Sequence, residues 1–387
     1  ALQRDVVRIY EDGSVDTIPQ LQATYHVGEE FLDVVDGLRA IDEAVLFLDL
    51  SCGDRLGHAL ALGISVKDWY RSKQYNISLS KQDYLDNIVW LYFAIVRYNL
   101  EGLDNLKNYL EAEFHTYFDE IYRKHMDSRF IGKILEKSGK KYAGYPLDFN
   151  MQAYYDSWKL RGDRPDLYQN GYFEPLRFFY SPFDSCAVNE NFPDNPQIRK
   201  SPEAALLYWF YHFDYEVRMA GNGDVNMSVK SEYVRGVELV QKAMQHEIAA
   251  RGIAIETNPS SNYSIGTIKA YDEHPIRLFY NNGLTFDHKE LKDSAQIWVS
   301  VNTDDQGVFS TILENEYALL ARALEKKTDE KGNPVYQKTM IYEWLNKIRI
   351  MGLDQSFGNH RNSKIKEEIH NLDMTDRLEE ELMRGRN

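Results

Sequence analysis

Cysteine is almost absent from these 387 residues: Cys52 and Cys186 are the only two. Two cysteines cannot build a disulfide framework, and no Cys-x-x-Cys occurs to suggest a structural zinc clip or a redox pair. The pattern fits a reducing compartment, and cytoplasmic localisation is the expectation. Long apolar runs are missing too. The longest, Ile88 to Val96, is too short to cross a bilayer and reads as a buried helix segment, so no membrane partner is expected. The opening residues, Ala1 to Tyr10, are charged and do not read as a signal peptide. Basic charge is in deficit: Asp and Glu outnumber Lys and Arg by 60 to 45, a formal net charge of −15. Such a chain repels a long polyanion on average, so stable nucleic-acid binding is not expected. A small nucleoside is not disfavoured by this charge, whereas an anionic nucleotide needs local Lys or Arg.

What the chain has in plenty is aromatics, 27 tyrosines among them, which suggests large packed surfaces and a homo-oligomer. Its organisation changes along the length. Residues 1–65 read as alternating short strands and helices: Leu21 to His26 as a strand, and Phe31 to Asp42 as a helix with Leu32, Val35, Leu38 and Ile41 on one face. Residues 66–229 read as helices and loops. Tyr84 to Tyr98 is densely apolar, Leu103, Leu106, Leu110, Tyr117 and Ile121 form a helical stripe, and 138–200 reads as irregular. Ser201-Pro202-Glu203 starts a helix expected to run through Trp209 and Tyr215 to Gly221. The strand-and-helix rhythm returns over 230–327, with strands at Ile253 to Glu256 and Gln296 to Val301 and a helix over about Thr311 to Lys327. Residues 328–387 read as a helical extension, highly charged beyond Phe357.

Three polar clusters follow short strands: His26-Val-Gly-Glu29, Asp54-Arg-Leu-Gly-His58 and Asn302-Thr-Asp-Asp305. In a barrel of alternating strands and helices the strand ends converge on one face, so residues far apart in sequence can meet there. Imidazole and carboxylate are ligands that zinc accepts, and zinc brings the pKa of its water to roughly 7. The chemistry suggested is metal-assisted hydrolysis. Each cluster alone is weak. A His-x-x-Glu is common by chance, a lone His58 is more often a core histidine, and Asp304-Asp305 could simply cap a helix.

Together the clusters resemble the adenosine deaminase family of metallo-dependent hydrolases. His26-Val-Gly-Glu29 is similar to that family's His-Ala-Gly-Glu motif, and Asp54-Arg-Leu-Gly-His58 to its Arg-Ile-Gly-His-Gly. Asn258-Pro-Ser-Ser261 resembles the segment ending the seventh strand. Ser300-Val-Asn-Thr-Asp-Asp305 resembles the Ser-Leu-Asn-Thr-Asp-Asp that ends the eighth, and Glu314, Glu316-Tyr317 and Leu320 have the look of its next helix. The resemblance implies an α/β fold of TIM-barrel type, of which this chain carries the second half, strands five to eight, plus a large, mostly helical insertion. It implies a Zn2+ cofactor with His26 and Asp304 as ligands. Glu29 would protonate or bond the purine ring at N1. His58 would orient or deprotonate the attacking water, and Asp305 would touch that water or the base's N7. The substrate would be adenosine or an adenine nucleotide, deaminated at C6 to the inosine product. The other zinc deaminases use His-x-Glu with Pro-Cys-x-x-Cys, which is absent here.

The departures are as specific. The family's first strand carries a His-x-His pair that supplies two zinc ligands, and no His-x-His occurs in this sequence. The expected partner is therefore the missing N-terminal half of the barrel, from the same longer chain or from another one. Between His58 and Ile253 stand about 160 residues more than the family pattern, a large insertion similar to those of the deaminase-like subunit of the RADAR phage-defence system, which would bring a role in antiviral defence. Gln306 replaces the proline that usually follows the Asp pair. Alternatives are another amidohydrolase-type reaction on the same barrel, or a catalytically silent barrel serving as an assembly scaffold; a scaffold would not need Glu29, His58 and both aspartates. Ser260 and Ser261 are expected to be structural. His115, His125, His212, His246 and His274 are expected at the surface or in packing, and Trp90, Trp209 and Tyr211 in the core.

Overall fold

The computed structural model describes residues 22–128, 146–163, 201–265 and 268–356, with short pieces at 7–9, 15–17, 131–132, 165 and 198. The charged tail beyond Phe357 and most of the 138–200 stretch lie outside the described residues. Two short strands, β1 (Val7–Ile9) and β2 (Val15–Thr17), pair antiparallel with each other.

The organising feature is a four-stranded, wholly parallel sheet. Its strands are β3 (Thr24–Val27), β4 (Arg55–His58), β7 (Ala254–Thr257) and β8 (Val299–Val301), side by side in that order. Registers are Val27 opposite His58, Gly57 opposite Glu256, and Thr257 opposite Val301. Side chains alternate across a strand, so each row of partners faces one side. The row Leu56, Ile255 and Val299 is fully buried against helices. The opposite row is His26, Gly57, Glu256 and Ser300. Four parallel strands with helical crossovers are the expected half of a barrel, and among the described residues neither edge strand, β3 or β8, has a second neighbour.

Local chemistry sets the helices. α1 (Val34–Phe47) starts at Asp33, whose carboxylate accepts from Val35 N–H, and buries Val34, Val35, Leu38, Ile41 and Val45. Leu32, read from periodicity as part of that buried face, precedes the cap and is 60% exposed. Ser65 caps α2 (Val66–Ser72). β5 (Asn76–Ser80) follows, and Ser80 caps the dense apolar α3 (Lys81–Arg97). α4 (Asp104–Phe118) carries the leucine stripe and runs into a wider π turn over Asp119–Arg123.

Within the stretch read as irregular stands a helix, α5 (Met151–Lys159), capped by Asn150. Met151, Tyr154, Tyr155 and Trp158 lie at helical spacing and are buried, so the signal is there beneath the aromatic richness. Ser201 caps the next helix as expected, but that helix divides. α6 (Pro202–Phe213) ends at Asp214, whose side chain caps α7 (Tyr215–Gly221).

The insertion is not purely helices and loops. β6 (Asp224–Ser228) pairs antiparallel with β5, Asn76 opposite Ser228. This ladder brings the two ends of the insertion together beside the barrel segments. α8 (Ser231–Ala250) leads back to β7. It is followed by α9 (Pro259–Ile265), α10 (Ile276–Phe279), α11 (His288–Asp293), α12 (Gln306–Phe309), α13 (Leu313–Lys326) and α14 (Lys338–Asp354). α14 reaches the sheet row that carries Glu256: Gly352 abuts Ser300, and Arg55 donates to the carbonyl of Gln355 while pairing with Glu256 at 2.6 Å. No helix among the described residues is long and apolar enough to cross a membrane.

Barrel segments and insertion share one continuous hydrophobic cluster. Buried polar ties cross between them. Trp90 Nε1 donates to Asp42 at 2.7 Å, and Arg39 Nε to Asn87 at 2.9 Å. Within the insertion, Asp86, almost fully buried on α3, takes two parallel bonds from Arg161 (2.6 and 2.8 Å) and one from Tyr154 (2.6 Å). Burial alone would raise the Asp86 pKa, but Arg161 overrides it and holds the carboxyl below its ordinary range. Removing one partner of such a pair leaves an uncompensated buried charge. Arg161→Ala is therefore expected to destabilise the fold by about 3–5 kcal/mol, read as a lower denaturation midpoint in urea; a loss within about 1 kcal/mol would show that Asp86 finds solvent.

Candidate active site

The site forms where β3, β4 and β8 end, and each ending needs an unusual backbone. Gly28 (φ 70°), His58 (φ 64°), Ala59 (φ 46°) and Asp304 (φ 57°) all take the left-handed region. At Gly28 a side chain would also collide with Ile41, whose Cδ1 lies 2.7 Å from where a Cβ would stand. Three backbone bonds knit the endings together: Ala59 N–H to Val27 carbonyl, Ala61 N–H to Gly28 carbonyl, and Asn302 N–H to Thr257 carbonyl. Non-glycine residues held left-handed are strained, and strain of this kind gathers at functional sites.

These endings bring together Glu29, His58 and Asp304, each offering one ligand atom, all within 4.8 Å of one another. His58 is buried; its Nδ1 stands 3.0 Å from Glu29 and its Nε2 3.7 Å from Asp304. Asp304 is held at both oxygens: Ser261 Oγ donates to Oδ2 at 2.7 Å and the Asp305 N–H to Oδ1 at 2.9 Å. One imidazole and two carboxylates are an N/O donor set able to hold a divalent cation.

His26 stands beside this group rather than within it. Its ring meets that of His58 edge-on at 5.0 Å, its Nε2 is 3.8 Å from Glu256, and its side chain is 60% exposed. Gly57 makes that placement possible, because a Cβ there would fall 1.9 Å from the His26 ring. Asp305 is exposed and caps α12, its Oδ1 accepting from Gly307 and Val308 N–H.

Four more polar residues complete the site: Asn258 and Glu316 stand in segments the resemblance includes, without a role assigned to them, and Asn262 and His274 stand in no motif. Asn258 Nδ2 lies 3.2 Å from both ring nitrogens of His58. Asn262 Nδ2 reaches His58 Nδ1 at 2.8 Å and Glu29 at 2.9 Å. Glu316, fully buried, accepts from Ser260 N–H at 2.9 Å and from Thr311 Oγ1 at 2.6 Å, anchoring α9 under the site. His274, expected at the surface or in packing, is buried and bonded to Asn262 Oδ1 at 3.0 Å.

Residues 234–335 match the adenosine deaminase family model. Over that stretch the chain is similar to the adenosine deaminase family. Its similarity to an aminodeoxyfutalosine deaminase of Streptomyces avermitilis is 34% over 91 residues, 24% of this chain and 21% of the relative. To an adenosine deaminase of Shewanella loihica it is 34% over 76 residues, 20% and 19% of the two chains. To an adenosine deaminase of Plasmodium gallinaceum it is 36% over 70 residues, 18% and 16%. The aligned stretches thus cover about a fifth of these relatives' lengths. The deaminase-family match takes in β7, β8, Asn258, Ser261, Asn262, His274, Asp304, Asp305 and Glu316. It stops short of β3 and β4, which carry His26, Glu29 and His58.

Burial pushes the His274 pKa down to about 3, with His58 adding a smaller push, so the native ring is neutral. The unfolded chain titrates near 6.5 and takes the proton first. Stability is therefore full above pH 6.5 and falls as the pH drops toward 3, by up to about 1.4 kcal/mol per unit from this residue. His274→Gln should flatten that portion of a pH–stability curve; an unchanged slope would show that another group carries it.

Proposed function

We propose that this chain forms the second half of a zinc-dependent deaminase that hydrolyses adenosine or an adenine nucleotide at C6, water entering and ammonia leaving to give the inosine product. The observation that supports this most is the meeting of Glu29, His58 and Asp304 from three separate strand ends within 4.8 Å. The match of 234–335 to the adenosine deaminase family supports the reaction class.

Zinc would be held by His26 and Asp304 together with donors from polypeptide that completes the barrel, and when bound it supplies water acidified to a pKa of roughly 7. The other steps belong to side chains. Glu29 gives its proton to ring N1 as charge accumulates there. His58 orients the entering water or accepts its proton. Asp305, with Oδ1 engaged in capping, offers its second oxygen to the same water. Asp304 is kept in place by Ser261. The completing half-barrel would pair with the outer sides of β3 and β8. The insertion would stand near the substrate entrance and could serve subunit contact in a cytoplasmic homo-oligomer with a role in defence. A silent scaffold is disfavoured by the bonds spent on holding Glu29, His58 and Asp304 in place.

The test is ammonia release by the full-length protein from adenosine, its 5′-phosphates and other aminated bases. Release from adenine compounds with recovery of the 6-oxo product supports the reading, and release from a different base alone would move it to another amidohydrolase reaction.

A further inference from the structure

Away from the site, α13 and α14 lie side by side and leave between them a groove of about 500 Å³. Ala318 and Ala321 on α13 and Leu345 on α14 give it an apolar base. Its walls are basic, with Arg322 on α13 and Arg349 on α14, both exposed. Arg349 donates to Asn346 Oδ1 at 3.0 Å, and among the described residues neither arginine forms an ion pair. Glu325, the carboxylate that lines the groove, is engaged by Tyr342 OH at 2.9 Å and by Lys338 at 3.9 Å.

The sequence that follows α14 supplies a segment of matching chemistry. From Glu367 to Met383, seven Asp and Glu stand against Arg377 alone. Within it Met374, Leu378 and Leu382 recur every fourth residue, the spacing of one helix face. In a helix, Glu379 and Glu381 flank that stripe on opposite sides. The groove is the complement, apolar along its base with one arginine on each wall. Lengths agree as well: in helices Met374 to Leu382 spans about 12 Å and Tyr342 to Arg349 about 10 Å. The residues between Ser356 and Met374 are enough to reach any point along α14.

We propose that residues 374–382 dock as a third helix in the α13–α14 groove of their own chain, with Met374, Leu378 and Leu382 on its base and Glu379 and Glu381 toward the two arginines. An amphipathic helix laid in a groove and anchored at such a spacing is a recurrent mode of recognition. Exposed ion pairs add little by themselves, so the apolar stripe holds the segment and the charges set its direction. α13 also carries Glu316, which anchors α9 under the site by accepting from Ser260 N–H at 2.9 Å. The docked segment therefore braces the helix on which that anchor stands.

Amide hydrogen exchange of the full-length protein tests this. The 374–382 amides are expected to exchange at least about 10-fold more slowly than a free peptide of the same sequence, which burial of one leucine is enough to give. Leu378→Asp should return them to the peptide rate. Arg322→Glu combined with Arg349→Glu should speed their exchange by about 3-fold or more, and adding Glu379→Arg and Glu381→Arg to that variant should recover the protection. Both arginines are exposed, so the groove variant is expected to keep its fold, and unchanged exchange of α3 reports that it does. Peptide-like exchange of 374–382 in the wild type, or protection that the groove variant leaves unchanged, would overturn the proposal. So would protection that fades on dilution, which would put the segment in the groove of a second copy. The readout needs neither metal nor substrate, so it stands apart from the deaminase reading.

Discussion

Glu29→Gln is expected to lower kcat of the full-length protein by about 10³-fold, the middle of the range for a general acid, while zinc stays bound. The amide is isosteric, and its oxygen can still accept from Asn262 Nδ2 at the 2.9 Å contact. What it cannot do is deliver a proton to ring N1. KM should change little, because the lost interaction belongs to the transition state. The geometry allows a second role, since Glu29 is one of three groups whose ligand atoms lie within 4.8 Å. Metal analysis of the same variant separates the two. Zinc retained with turnover lost marks an acid. Zinc lost together with turnover marks a ligand, and full turnover would remove Glu29 from the chemistry.

Asp304→Ala should have the complementary signature: loss of zinc, and with it a fall in turnover of at least about 10³-fold, since a metal site supplies several kcal/mol of transition-state stabilisation. At Asp304, as at His58, the motif, the strained backbone and the donor cluster all agree. Its neighbour offers a graded control. Ser261→Ala removes the hydroxyl that holds Asp304 Oδ2 but leaves the carboxylate, so its cost should be about 10- to 100-fold in zinc affinity, measured by competition with a chelator. Full zinc binding by Asp304→Ala would show that the ligands lie elsewhere.

Much of this site is legible in the chain because strand ends announce themselves. A short apolar run followed by His-Val-Gly-Glu or Asn-Thr-Asp-Asp marks where β3 and β8 stop, and glycine or a left-handed residue follows because the turn demands it. The helix start at Ser201 is equally plain, since a hydroxyl ahead of an apolar stripe is a cap. What escapes is whatever depends on a distant partner. β5 and β6 each alternate, burying Ile77 and Leu79 or Val225 and Met227, but neither is convincing until the other is beside it. Asn262 and His274 carry no periodic or motif signal. Their part in the site is a matter of bonds to residues elsewhere in the chain, Asn262 to Glu29 and His58, and His274 to Asn262. Asp305 shows the reverse case: read as a site residue with capping as the alternative, it does cap α12 through Oδ1.

In the proposed reading the strand-end residues of this chain hold one metal for hydrolytic deamination, and polypeptide completing the barrel supplies the remaining ligands. The most direct test is one preparation of the full-length protein assayed for bound metal and for inosine formed from adenosine compounds. One zinc per chain, with ammonia and the inosine product appearing in equal amounts, is the predicted result. No bound metal and no ammonia from any adenine compound would contradict it.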